Sequence, residues 1–114
     1  MNVKDEHDPN GKQPHEAGAK LDAGKPRPSL VLGEFSHALW EVCRVGTYGA
    51  NKYSDNGWQE VPNGLARYED AQLRHWMRYH MGEVQDPESE LPHLAHEAWN
   101  ALARLEMVCR ELKK

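Results

Sequence analysis

Gly82-Glu83-Val84-Gln85-Asp86-Pro87-Glu88-Ser89-Glu90 joins two helical patterns, and the reading of residues 64–104 around it decides the fold. Four of these nine residues are carboxylates. Four of the chain's seven histidines flank them, His75 and His80 before, His93 and His96 after. Hard divalent cations take oxygen donors and transition ions accept imidazole, so this helix–loop–helix carries what a metal needs. The same charges also suit a solvated loop between two core helices.

Working outward, Asn63 is a good N-cap for a helix over residues 64–81. Leu73, Trp76, Met77, His80 and Met81 form its apolar stripe, which makes His80 a core or interface residue. Arg67, Asp70, Arg74 and Arg78 form the polar one, with Asp70 and Arg74 spaced to pair. Gly82 is placed to stop the helix. The last helix starts near Pro92 and runs toward Leu112, with Leu94, Ala98, Ala101, Leu105, Val108 and Leu112 as a long buried stripe. His93, His96, Glu97 and Asn100 project together from its first two turns, a face suited to binding a metal or positioning a water.

Upstream, Phe35, Ala38, Leu39, Val42 and Val45 predict a helix over residues 30–47. Glu34, His37, Glu41 and Arg44 share a neighbouring stripe, whose Glu34 is a candidate ligand if that stripe turns toward the acidic loop. The glycines of Tyr48-Gly49-Ala50-Asn51-Lys52-Tyr53-Ser54-Asp55-Asn56-Gly57-Trp58 should end this helix. In that segment Lys52 offers an ammonium for phosphate, and Tyr53 and Trp58 offer aromatic faces for a base; aromatics also simply pack. Residues 1–17 are polar without periodicity and predict a flexible tail. The Gly- and Pro-rich segment that follows reads as an irregular arm, either a linker or a phosphate-contacting strap through Lys20, Lys25 and Arg27.

At 114 residues and 39% hydrophobic content, one domain covering residues 18–114 is expected, all-α, with a private core so small that a bundle completed by oligomerisation would gain from a second subunit. A net charge of −4 argues against a nucleic-acid polymer as partner. Cys43 and Cys109 lack metal or redox spacing, and neither a membrane-length apolar run nor a signal-peptide core is present. A soluble, cytoplasmic protein is the expectation.

The candidate chemistry follows from the inventory. Asp70, Glu83, Asp86 and Glu88 are candidate metal ligands, and His75, His93 and His96 candidate catalytic groups. Lys52, Arg67 and Arg74 would hold a triphosphate. No P-loop, nucleophile elbow or Cys-x-x-Cys is present, and the only His-Asp pair, His7-Asp8, lies in the tail.

Lys20-Leu21-Asp22-Ala23-Gly24-Lys25-Pro26-Arg27, Tyr48-Gly49-Ala50-Asn51-Lys52-Tyr53 with Trp58, Arg74-His75, Gly82-Glu83, Asp86-Pro87-Glu88-Ser89 and Leu91-Pro92-His93-Leu94-Ala95-His96 with Asn100 are together similar to the phage dATP/dGTP diphosphohydrolases. These relate to MazZ and the MazG-like all-α NTP pyrophosphatases. The resemblance spans residues 18–106. It implies a homodimeric or homotetrameric helical bundle using Mg²⁺ or Mn²⁺, with dGTP or dATP converted to the monophosphate and pyrophosphate. It also implies a phage role in nucleotide-pool or 2-aminoadenine metabolism and adds Asn100 to the substrate-binding set. Some positions depart from the family pattern: Asn56-Gly57 where Arg-Asn is usual, Glu90 where Gly is usual, and Glu97 where Ala is usual. The Glu-Glu-x-x-Glu and Glu-x-x-Asp metal motifs of the MazG relatives are absent. A non-catalytic nucleotide- or metal-binding oligomer and a purely structural helical module therefore stand as alternatives.

Overall fold

The computed structural model describes residues 6–114, and the chain falls into two units, up to Glu34 and from Phe35 onward. The sequence places a division after residue 17, and residues 1–5 of the expected tail lie outside the described residues. In the first unit the Asp8 carboxylate accepts the backbone N–H groups of Lys20 and Asn10, both at 2.7 Å, and ties residues 8–10 to Lys20. These N–H groups hold its carboxyl below the usual carboxylate range. The segment is irregular, ending in a 3-10 turn over Pro28–Leu30.

The second unit holds three helices: α1 over Ser36–Lys52, α2 over Gly64–His80 and α3 over His93–Leu112. Among the described residues there is no strand, only an isolated antiparallel bridge between Gln85 and Pro92. The chain is all-α, as its periodicity predicts. No described helix is long and apolar enough to cross a membrane.

The helix ends correct the sequence reading in two places. The first helix spans 36–52 where the periodicity predicts 30–47; Gly46 lies inside it as expected, and it runs on through Gly49, which was expected to end it. Each glycine costs a helix interior about 1 kcal/mol against alanine. Packing offsets this at Gly46, where an added Cβ would come within 3.4 Å of Trp99 Nε1, so the helix approaches α3 closely there. Asn63 does occupy the N-cap of α2, but it sits in the left-handed region (φ 56°) and its side chain makes no capping bond. Gly82 (φ 98°) ends α2 as expected: Glu83 N–H bonds Arg78 C=O and Gly82 N–H bonds Tyr79 C=O, the paired closure that favours glycine.

Helices α2 and α3 run antiparallel, since His75 meets His93 and His96 while Arg104 reaches back to Gln72 and Glu69. The α1 helix also packs on α3. The core is small: Val45, Leu91 and Ala95, with Tyr48 and Trp99 packed against it. The face of α3 that is buried is His93, His96, Asn100 and Ala103. This overturns the expected stripe: Leu94, Leu105, Val108 and Leu112 are exposed, as are Leu73, Trp76 and Met77 on α2 and Met81 just after it. The reason is steric and polar together. Small or hydrogen-bonded side chains at every third or fourth position let the two helices approach closely.

Glu90 is held at φ 61°, left-handed backbone that disfavours a residue with a Cβ. Its N–H bonds Asp86 C=O at 2.7 Å, and Asp86 N–H bonds Leu91 C=O at 2.9 Å, so the loop closes around this turn. Glu90→Gly is therefore expected to stabilise the fold by about 1 kcal/mol, seen as a higher urea midpoint at unchanged slope. A lower midpoint would refute the strain argument.

Candidate active site

The α1 and α2 helices both lean on α3 and leave an open cavity of about 1250 Å³ in the angle between them. Its lining includes His96, Trp99 and Asn100 of α3, Tyr48 and Lys52 of α1, and Arg67, Asp70, Arg74, His75 and Arg78 of α2. The acidic loop contributes Asp86 and Glu88.

Three imidazoles gather here. His93 is fully buried, at 0% exposure. Its Nε2 lies 2.7 Å from Glu83 Oε1, and its Nδ1 lies 2.8 Å from Nδ1 of His75. A carboxylate only accepts, so Nε2 of His93 carries a hydrogen and its Nδ1 faces His75. His75 in turn stacks on His96, centroids 4.3 Å apart and planes within 5°. Burial, with His96 and His93 beside it, pushes His75 down to about 4. Burial likewise lowers His96. Both rings are thus neutral near pH 7, the form that coordinates metal or takes a proton.

Asp86 is buried next to them. Burial opposes its charge, but the backbone N–H and hydroxyl of Ser89 hold its carboxyl below the usual range. The Ser89 N–H donates to Oδ2 at 2.8 Å, and Ser89 Oγ lies 2.7 Å from His96 Nε2. Arg78 reaches Glu83 at 2.7 Å and, more loosely, Asp86 at 3.4 Å. His75, Asp86 and His93 each present one ligand atom within 4.8 Å of the others, a set able to hold a metal ion. At the cavity rim Lys52 pairs with Glu88. That contact raises the lysine, and Lys52 and then Tyr48 lower Glu88.

The fold thus brings together His75, His93, His96, Asp86 and Glu83, with Glu88 and Lys52 nearby. Asp70, Arg67 and Arg74 are exposed on the α2 wall of the cavity. Asn100 lines it while donating to His96 C=O at 2.8 Å. Trp58 packs edge-on against Tyr68 and Trp99 beneath Arg110, and Tyr53 is exposed beside Lys52. His80 stacks on Trp76 away from the imidazole cluster. Lys20, Lys25, Arg27 and Glu34 belong to the other unit, where Lys25 pairs with Glu6. Sequence reasoning did not single out Tyr48, Arg78 or Ser89 for the site. Arg78 lies one turn beyond His75, and Ser89 stands three residues after Asp86, the spacing of an aspartate that caps a turn.

The family model described as dATP/dGTP diphosphohydrolase, N-terminal, matches residues 15–114. A protein of Salmonella phage PMBT28 named dATP/dGTP diphosphohydrolase is 36% identical over 81 residues, 71% of this chain. The chain spans 26% of that relative's length. No solved structure matches the chain.

The lowered histidines set a sign for acid stability. The unfolded chain takes up the His75 proton near its ordinary value of 6.5, the folded chain only near 4. Stability from this group is therefore full above pH 6.5 and lost as pH falls toward 4. His96 acts in the same direction. In EDTA the Tm of the wild type should fall across this window, and that of His75→Asn should fall less. Parallel profiles for the two proteins would contradict the assignment.

Proposed function

Because the chain belongs to the dATP/dGTP diphosphohydrolase N-terminal family, we propose that it takes part in divalent-metal-dependent hydrolysis of dGTP, and of dATP, to the monophosphate and pyrophosphate. The observation that carries this reading is the gathering of His75, His93 and Asp86 beside a cavity walled by Lys52, Arg67 and Arg74. A triphosphate needs cations along its length, and the α1 and α2 walls supply them.

The metal would be Mg²⁺ or Mn²⁺. His75, His93 and Asp86 would hold it. Once bound, such an ion neutralises phosphate charge as the bond to the leaving group breaks. In this reading Lys52, Arg67 and Arg74 bind and orient the triphosphate, with Lys52 exchanging Glu88 for a phosphate oxygen. Asn100 and the Tyr53 ring contact the nucleoside, and Trp58 supports that wall through Tyr68 and Trp99. A water oxygen forms a bond to the α-phosphorus while the bridge oxygen to the β-phosphorus departs with pyrophosphate. His96, neutral and facing the cavity, accepts the water proton.

The exposed apolar stripes of α2 and α3 support a homodimer or homotetramer in solution. A phage origin, with action on the host's cytoplasmic nucleotide pool or on 2-aminoadenine metabolism, is consistent with the relative's source.

The purified chain incubated with dGTP and Mn²⁺ or Mg²⁺ should yield dGMP and pyrophosphate by phosphorus NMR, and none with EDTA. Lys52→Ala should raise KM by about tenfold or more, the cost of one charged phosphate contact. No turnover of any of the four dNTPs would replace this reading with a nucleotide- or metal-binding module. Sedimentation equilibrium is expected to return a mass of two or four chains, with Trp76→Glu shifting it toward one. A wild-type monomer would refute self-association.

A further inference from the structure

We propose that the ion of the metal-dependent reading above is a first-row transition ion chelated by Nδ1 of His75, Nδ1 of His93 and a carboxylate oxygen of Asp86. In the same proposal Glu83 acts as the positioning residue that aims His93. The inference rests on that reading for the presence of a metal and adds its class and its donor atoms.

The first argument is the separation of the two Nδ1 atoms, 2.8 Å. Two ligands at adjacent corners of an octahedron with bonds of about 2.1 Å stand about 3.0 Å apart, and at tetrahedral corners about 3.4 Å. The observed pair is therefore within a few tenths of an ångström of a chelating geometry. Chelation there uses the Nδ1 lone pairs of both rings, with the His75 hydrogen on Nε2, a tautomer open to a neutral imidazole.

The second argument is the far side of His93. This ring is wholly buried, and its Nε2 meets a carboxylate at 2.7 Å. A carboxylate on the outer nitrogen fixes the tautomer, turns the other lone pair inward and raises its basicity, as around histidine ligands generally. Arg78 holds Glu83 from behind at 2.7 Å, so this carboxylate is oriented and charge-balanced without itself being a ligand.

The third argument is the carboxylate that completes the set. Asp86 is 7% exposed, and its Oδ2 is engaged by the Ser89 N–H. Its Oδ1 has only the 3.4 Å approach of Arg78, which leaves an oxygen able to coordinate. Two imidazoles and a carboxylate select Mn²⁺, Fe²⁺, Co²⁺ or Zn²⁺ over Mg²⁺, which keeps oxygen donors and its own waters.

The test is binding of Mn²⁺ alone, without nucleotide, to the full chain. Titration followed by the EPR signal of free Mn²⁺ is expected to give affinity at least about a hundredfold above that for Mg²⁺ in competition. Pulsed EPR on wild-type protein labelled with ¹⁵N at histidine should show coupling to two imidazole nitrogens, a readout that requires no variant to fold. His75→Ala should lower Mn²⁺ affinity about a hundredfold. Glu83→Ala should lower it about ten- to a hundredfold, and Glu83→Gln, which keeps an acceptor for the His93 N–H, should recover most of that. Mn²⁺ bound with no nitrogen coupling overturns the proposal. If dGTP is still hydrolysed in that case, the functional reading survives with oxygen ligands. Nitrogen-coupled Mn²⁺ in a chain that turns over no nucleotide leaves the proposal standing and removes the hydrolase reading.

Discussion

Everything in the helical unit depends on the burial of one imidazole with both nitrogens engaged. His93 is the largest fully buried side chain among the described residues. A buried polar ring left without partners would cost several kcal/mol, so its two contacts, to Glu83 and to His75, are conditions of folding as well as features of a site. Glu83 belongs to the loop, His75 to α2 and His93 to α3. One ring therefore pins three segments of the hairpin together. The geometry that makes the centre chemically capable is the same geometry that lets α2 close on α3.

That coupling explains how the acidic loop is built. Asp86 accepts the Ser89 N–H, Ser89 Oγ accepts the Leu91 N–H and meets His96, and His93 N–H bonds Val84 C=O. Each bond is short in sequence, yet together they set the height of Asp86 above the imidazoles. The loop accepts backbone strain at Glu90 to make this closure. On its other flank Glu88 engages Lys52 at the end of α1, so the loop also spans from the α2–α3 hairpin to the helix that forms the opposite wall. The two walls of the cavity are linked through this loop and through α3.

Much of this was legible in the sequence, and the limits have physical causes. The three helices, the stop at Gly82 and the pairing of acidic loop with flanking histidines follow from periodicity, turn chemistry and composition. The facing of α2 and α3 did not. Periodicity identifies an apolar stripe and assumes that it is the inward one; here the inward residues are Ala, Asn and His, whose burial depends on partners distant in sequence. The passage of α1 beyond Gly49 to Lys52 was hidden because a glycine is read as a stop, and no side chain stands over Gly49 to mark the helix. Ligand assignment from residue type separated carboxylates from imidazoles, whereas three-dimensional proximity selects two imidazoles and one carboxylate.

The inversion of the stripes is itself informative about what the chain is for. A helix pair could bury Leu73, Met77, Leu94 and Leu105 against one another and place its histidines in water. This one does the reverse, leaving Leu105 58% and Met77 55% exposed while sequestering His93, His96 and Asn100. Fully burying one leucine is worth about 2 kcal/mol, so the arrangement gives up several such terms within a single chain. Consistency across levels usually fails at functional sites, and what the arrangement gains here is imidazoles held oriented and close. The unused apolar surface is what a second chain can recover. The inward face of α3 is given to polar chemistry, and its apolar residues are left on the outward face.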